Sequence, residues 1–266
     1  MSNLQSIGVF DSGLGGLTVL AALRKKYPQE SMVYLGDTAR LPYGSKSPET
    51  VIQYALNCAK ALMRKADLKL LVVACNTATA HALETLQKEL PIPVVGVIEP
   101  GVLEIVANSQ IQSVAILATR GTILVRAYEK ALRKHGFKGE IESLACPLWV
   151  PLVEEGLVSG PITESVVRYY LGHLVQDPDA VILGCTHYPL LLPVLKKVLP
   201  KQTIWVDSGQ ATAQLIRENR GGSASAAMTR YFVTDLPQDF KKIASLFLGA
   251  PVLESEVELI DVWVFA

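Results

Sequence analysis

The chain has 266 residues, half of them hydrophobic, and its 25 basic side chains balance 25 acidic ones to a formal net charge of zero. That composition excludes a disordered chain and the basic footprint of a nucleic-acid binder, and the length is ample for one large or two small packed domains. Met1-Ser2-Asn3-Leu4-Gln5-Ser6 lacks the basic-then-apolar order of a secretory signal and no apolar run reaches membrane-span length, so a cytoplasmic protein engaging neither membrane nor nucleic acid is expected.

A short apolar run over 7–10 predicts a strand, and helical period over 17–26 predicts the helix that follows it. Between them lies Asp11-Ser12-Gly13-Leu14-Gly15-Gly16. This loop is not a dinucleotide fingerprint, because position 18 is Thr18 where a third glycine is needed, and it has no Walker lysine. It reads as a cradle for a carboxylate or similar small anion at a helix N-terminus, against the plainer reading of a tight turn with Asp11 as cap. A second strand over 32–35 runs into Gly36-Asp37-Thr38-Ala39-Arg40-Leu41-Pro42-Tyr43-Gly44, where Pro42 and Gly44 fix the backbone around Tyr43, whose N–H and hydroxyl are candidate ligand contacts. Arg40 reads as a surface residue or a partner of Asp37. A helix over 48–65 holds Cys58, and a strand over 70–74 delivers Cys75-Asn76-Thr77 to a helix over 77–89.

Strands over 94–97, 114–117 and 141–144 follow, with a helix over 122–135 and Cys146-Pro147 after the last. A helix over 163–175 then leads to a strand over 180–183 and Cys185-Thr186-His187-Tyr188-Pro189. Beyond these come a helix over 190–198, a strand over 203–206, Asp207-Ser208-Gly209, a small-residue turn over 220–225 and a strand over 230–233. The alternation predicts βαβ units, hence an α/β fold of doubly wound, mostly parallel sheets with helices on both faces.

Two segments resemble each other. Leu70-Leu71-Val72-Val73-Ala74-Cys75-Asn76-Thr77 and Ala180-Val181-Ile182-Leu183-Gly184-Cys185-Thr186-His187 are both buried-strand runs ending in a small residue and a cysteine. Their cysteines stand 110 positions apart (185 minus 75), about one domain length. We expect two related domains, 1–97 with 208–266 and 98–207, with the site between them at the carboxyl ends of the strands. Two thiols delivered by two similar strands suit one acid/base group on each face of a small substrate. A helix N-terminus lowers a thiol pKa, which would make a Cys75 thiolate accessible near neutrality, and Asn76 and Thr77 are neutral donors for a carboxylate. His187 titrates near neutrality beside Cys185. Cys58 and Cys146 read as packing residues, all four cysteines as free thiols, and a Cys75–Cys185 disulfide as an oxidation artefact. A zinc site from Cys75, His81, Cys185 and His187 lacks the usual ligand spacing, and a cysteine hydrolase built on Cys185 and His187 leaves Cys75 without a role.

With these motifs the chain resembles the glutamate racemases, cofactor-independent members of the aspartate/glutamate racemase family. The matching segments are Gly8-Val9-Phe10-Asp11-Ser12-Gly13-Leu14-Gly15-Gly16, Leu35-Gly36-Asp37 with Pro42-Tyr43-Gly44, Val73-Ala74-Cys75-Asn76-Thr77-Ala78 and Gly184-Cys185-Thr186-His187-Tyr188-Pro189. Further matches are Ala118-Thr119 with Thr122, Cys146-Pro147-Leu148 with Val153-Glu154-Glu155-Gly156, and Val206-Asp207-Ser208. The resemblance implies two α/β domains with the active site in their cleft, interconversion of L- and D-glutamate without cofactor or metal, supply of D-glutamate for peptidoglycan, and a homodimer. It makes Cys75 and Cys185 the acid/base pair, with Cys185 the base toward L-glutamate and Cys75 toward the D-enantiomer. Asp11 and His187 assist their neighbouring cysteines, joined by one glutamate of the Glu154-Glu155 pair, taken here as Glu154. Substrate contacts fall to Asp11, Ser12, Tyr43, Gly44, Asn76, Thr77, Thr186 and His187, with Thr119 and Thr122 secondary. Aspartate racemase is the nearest alternative, although that group tends to carry glutamate where this chain has His187. A two-lobed amino-acid-binding protein is the alternative from another class.

Overall fold

Six consecutive buried residues, Ser6–Asp11, form β1, and such a run belongs in the middle of a sheet covered on both faces. In this computed structural model, which describes residues 5–216, 227–235 and 240–263, β1 lies parallel between Met32–Gly36 (β2) and Leu68–Val73 (β3). Leu17–Lys26 (α1) connects β1 to β2, and Pro48–Lys65 (α2) connects β2 to β3. The start of α2 follows its sequence signals. Ser47 Oγ accepts the Thr50 amide at 3.3 Å, Pro48 takes the first turn, and Arg64 and Lys65 close the last turn against the helix dipole. Asn76–Glu89 (α3) then leads to Val94–Gly96 (β4) at the sheet edge.

Ile98–Val106 (α4) carries the chain to a second sheet, opened by Ser113–Ala118 (β5). Arg120–Leu124 (α5), Ala127–Lys134 (α6), Glu140–Ala145 (β6), Trp149–Glu154 (α7) and Pro161–Leu171 (α8) precede Ala180–Gly184 (β7). Leu192–Val198 (α9) and Ile204–Asp207 (β8) complete the parallel order β6-β5-β7-β8. Ser208–Leu215 (α10) packs on α1 and α4. Thr229–Val233 (β9) and, after Phe240–Leu248 (α11), Val257–Leu259 (β10) join the first sheet, whose order is β10-β9-β2-β1-β3-β4. Every strand pair is parallel, as the alternation of elements predicts. β3 sits beside β1 as β7 sits beside β5, so the two similar cysteine segments occupy equivalent places.

Two apolar clusters cover the outer faces of the two sheets. A third runs between them, from Val9 and Val72 through Leu17 and Leu20 to Leu117, Leu183, Trp149 and Tyr188. Burying each of these large side chains stabilises by about 1.5–3 kcal/mol, and this shared core joins the two sheets.

Several expectations are corrected. The helix read over 122–135 is broken into α5 and α6 at Arg126, a left-handed residue at φ 54°. The two pieces pack in different directions, α5 on the Tyr43–Ser45 turn and α6 on α4, and tertiary packing overrides the continuous period. The helix expected over 163–175 stops at Leu171, capped by Gly172. The one expected over 190–198 opens as a tight turn, Tyr188–Leu191, before α9. α4 and α7 carry Pro100 and Pro151, which break the sequence pattern but stand in first turns, where no amide donor is required. The turn expected over 220–225 lies outside the described residues.

Candidate active site

The carboxyl ends of both sheets face one narrow cavity. Its wall is Ser12, Gly13, Leu41, Pro42, Tyr43, Gly44, Cys75, Asn76 and Thr77 from elements of the first sheet, with Thr119, Val150, Glu154, Cys185, Thr186 and His187 from those of the second. The cavity is about 30 Å³, room for one or two waters, so its walls must part to admit an amino acid. A larger cavity of about 550 Å³, lined by Arg24, Arg230 and Glu258, holds none of the motif residues.

The two thiols sit in unlike surroundings. Cys75 is the N-cap of α3. Its Sγ accepts the Ala78 amide at 3.4 Å and donates to Ser12 Oγ at 3.3 Å. The helix N-terminus does not make it acidic, contrary to the sequence expectation. Burial pushes the Cys75 thiol up to about 12, Asp11 adds to the rise, and the Ser12 and Ala78 hydrogen bonds only partly offset it. Asp11, at the end of β1, is itself raised by burial, against the pull of His187 and of the Gly16, Gly13 and Ser12 amides. Gly13 N donates to Asp11 Oδ2 at 3.0 Å, while Oδ1 is buried without a partner among the described residues. The loop thus turns amides onto its own carboxylate, where the sequence suggested a cradle for an external anion. Nor does Asp11 cap α1, whose N-cap is Gly16.

Cys185 follows β7 but caps no helix. Pro189 leaves only the tight turn Tyr188–Leu191 behind it, and a side chain serves the thiol instead. His187 Nδ1 lies 3.8 Å from Cys185 Sγ, and Nε2 meets Glu154 Oε1 at 3.1 Å. Burial works against the imidazolium, yet the bonds and charges of Cys185 and Glu154 outweigh it and hold His187 up at about 10. The His187 cation therefore persists at neutral pH. Glu155 is exposed, so of the glutamate pair it is Glu154 that meets the histidine.

The two halves touch closely here, and glycine makes this possible. A Cβ on Gly15 would stand 2.3 Å from Thr186 Oγ1 and 2.5 Å from His187 Nδ1, and one on Gly44 would stand 2.9 Å from Thr119 Cβ. Thr18 Oγ1 donates to Thr186 O at 3.0 Å, and Thr77 Oγ1 meets Thr119 Oγ1 at 2.9 Å. Thr122 lies 3.1 Å behind Thr119 and does not line the cavity. Tyr43 is anchored by donating to buried Asp37, which also takes Arg40 Nε at 2.9 Å, so Arg40 is the partner of Asp37 rather than a surface residue. Its guanidinium stacks on Tyr54 at 4.4 Å and Trp263 at 5.1 Å.

His81 is not brought to the thiols. It bonds Gly121 O at 3.2 Å and faces a different groove, and among the described residues no cluster of His, Cys, Asp and Glu is placed to hold a metal. Cys58 and Cys146 are buried, free and outside the cavity. The sequence reading missed Gly13, Leu41, Pro42 and Val150 in the wall, and Asp11, expected to touch substrate, lies behind it. Leu41 and Pro42 stood beside a motif that signalled them, whereas Val150 is placed by tertiary packing of α7.

The chain matches the Asp/Glu/Hydantoin racemase family over residues 17–216. Glutamate racemase of Aquifex aeolicus (strain VF5) is 46% identical to it over 254 residues, covering 94% of this chain and 98% of that relative. Glutamate racemase of Geobacter metallireducens is 46% identical over 252 residues, covering 92% and 93%. The crystal structure of glutamate racemase from Francisella tularensis in complex with D-glutamate aligns with a TM-score of 0.89 at 35% identity, over 97% of this chain and 98% of that one. The chain belongs to the Asp/Glu/Hydantoin racemase family. It is an isomerase. Among its described residues, no helix is long and apolar enough to cross a membrane.

Proposed function

We propose that this enzyme interconverts L- and D-glutamate without a cofactor, by proton transfer between the α-carbon and two cysteines. The observation that carries the reading is the pair of buried thiols, from equivalent strand ends of two sheets, facing one cavity with opposite electrostatic support. Cys75, pushed up by burial and by Asp11, rests as the thiol, whereas Cys185 has the His187 cation 3.8 Å away to stabilise negative charge on its sulfur. That state is poised for L-glutamate: Cys185 takes the α-proton and Cys75 supplies one to the opposite face. Turnover moves the proton from one sulfur's side to the other, so the D-to-L direction uses the same two groups in exchanged roles. As the α-proton leaves, charge moves onto the substrate carboxylate, and Asn76, Thr77 and Thr186 supply donors to it. Asp11 stands behind the cavity wall and assists through its charge on Cys75. Residues 1–97 with 208–266 and residues 98–207 act as the domains that part to admit substrate. The close identity to glutamate racemases favours glutamate over aspartate and supports a role in supplying D-glutamate for peptidoglycan in the cytoplasm.

Reduced, EDTA-treated protein incubated with L-glutamate in D2O is expected to yield α-deuterated D-glutamate, read by chiral chromatography and mass spectrometry. Aspartate serves as the comparison. No exchange and no product with glutamate would overturn the reading. Gly15→Ala drives a methyl group into Thr186 and His187, and an ångström-scale displacement of catalytic groups costs about 100-fold in rate. We expect a loss of that order in glutamate turnover, measured on protein whose melting curve shows it folded.

A further inference from the structure

Asn76 and Tyr128 meet across the cleft, and neither is accessible to solvent. Asn76 opens α3 one residue after Cys75, while Tyr128 lies on α6 beside the second sheet. Tyr128 Oη donates to Asn76 Oδ1 at 2.6 Å, a hydroxyl-to-carbonyl distance shorter than an amide nitrogen ordinarily makes. With Oδ1 so held, Asn76 Nδ2 is left buried at the cavity wall with no partner among the described residues. Tyr128 is also seated against the strand of the other thiol. A Cβ on Gly184 would stand 3.0 Å from Tyr128 Cε2, so the residue before Cys185 is bare where the ring passes. Ser208 Oγ, 3.1 Å from Tyr128 Oη, donates to Leu183 O of β7 at 2.9 Å. Burial raises the phenol above its ordinary value, so it stays a donor throughout the working range.

We propose that Tyr128 is a positioning residue for the racemisation: it fixes the Asn76 amide so that Nδ2 presents its hydrogens to the carboxylate of the bound amino acid, and it ties that donor to the strand carrying Cys185. The inference rests on the glutamate racemase reading. Without Tyr128 the amide is free to turn, and Oδ1, an acceptor, then faces the carboxylate as it gains charge. The loss is greatest where that charge is greatest, so kcat falls more than KM rises.

The test is a double-variant cycle of Tyr128→Phe and Asn76→Ala, reading kcat and KM for glutamate and the Kd of D-glutamate by calorimetry. Removing an oriented donor costs about 100-fold or more, and misorienting one is expected to cost roughly 10- to 100-fold in kcat. In the Asn76→Ala background Tyr128→Phe should then cost almost nothing. An equal loss in both backgrounds overturns the inference and makes Tyr128 merely structural. Wild-type protein that neither binds nor racemises glutamate overturns the substrate reading and this inference with it. Should Tyr128→Phe not fold, the wild-type Asn76 side-chain amide is followed by NMR. Movement of its resonances on adding D-glutamate supports the proposal, and unchanged resonances overturn it.

Discussion

Replacing either Cys75 or Cys185 by serine is expected to abolish racemisation, because a positioned acid/base group contributes roughly 10²–10⁴-fold and serine is far too weak an acid to replace it. The informative result is what each variant keeps. In Cys185→Ser, Cys75 still faces the α-proton of D-glutamate, so slow exchange of solvent deuterium into D-glutamate persists without inversion. Cys75→Ser shows the mirror image, exchanging L-glutamate alone. Chiral separation followed by mass spectrometry reads both. The control is Cys146→Ala, since that thiol is buried outside the cavity. A Cys75→Ser protein that racemises at the wild-type rate would sink the two-base mechanism.

Sequence made the two thiols look alike, and the structure makes them unlike. What they share was legible: short β-branched runs place both cysteines at carboxyl ends of buried parallel strands, and local pattern suffices for that. What separates them depends on residues distant in the chain. Cys75 is raised by its depth and by Asp11, brought alongside by β1, against the expected effect of a helix N-terminus. Cys185 has its histidine two residues away, but that histidine is held by Glu154 from α7, and no local period announces α7 with Pro151 inside it. The choice between Glu154 and Glu155 was equally closed to sequence, since it turns on which face of the end of α7 meets His187. The break at Arg126 has the same origin: the helical period over 122–135 is intact, and only the separate partners of α5 and α6 reveal the bend. Glycines were legible as turn residues, whereas the reason for Gly15 and Gly184 is a side chain from elsewhere in the chain pressing on each.

That inequality of the thiols leads to a second large effect, at His187. The charge on Cys185 Sγ grows when Cys185 gives up its proton, which happens in the D-to-L direction, and the imidazolium 3.8 Å away stabilises it. His187→Asn is therefore expected to lower kcat from D-glutamate by roughly 100-fold or more, with a smaller loss from L-glutamate. Because the equilibrium constant of a racemisation is one, kcat/KM must fall equally in both directions, and the asymmetry appears only in kcat. The pH dependence follows from the same group. His187 is held at about 10 in the folded protein, above its ordinary 6.5, so the cation persists through neutral pH and is lost as pH rises through that value. The D-to-L kcat should hold across neutral pH and decline along an alkaline limb. Glu154→Gln removes one of the two groups that sustain the cation and should move that limb to lower pH. Stability carries the same sign. A group with a raised folded value contributes fully below its unfolded pKa and loses that contribution as pH rises through the folded one. The wild-type protein should therefore lose stability toward pH 10 more steeply than His187→Asn, as measured by denaturant unfolding at several pH values. If the Glu154→Gln rate profile superimposes on that of the wild type, Glu154 does not sustain the cation and His187 must draw its charge from Cys185 alone.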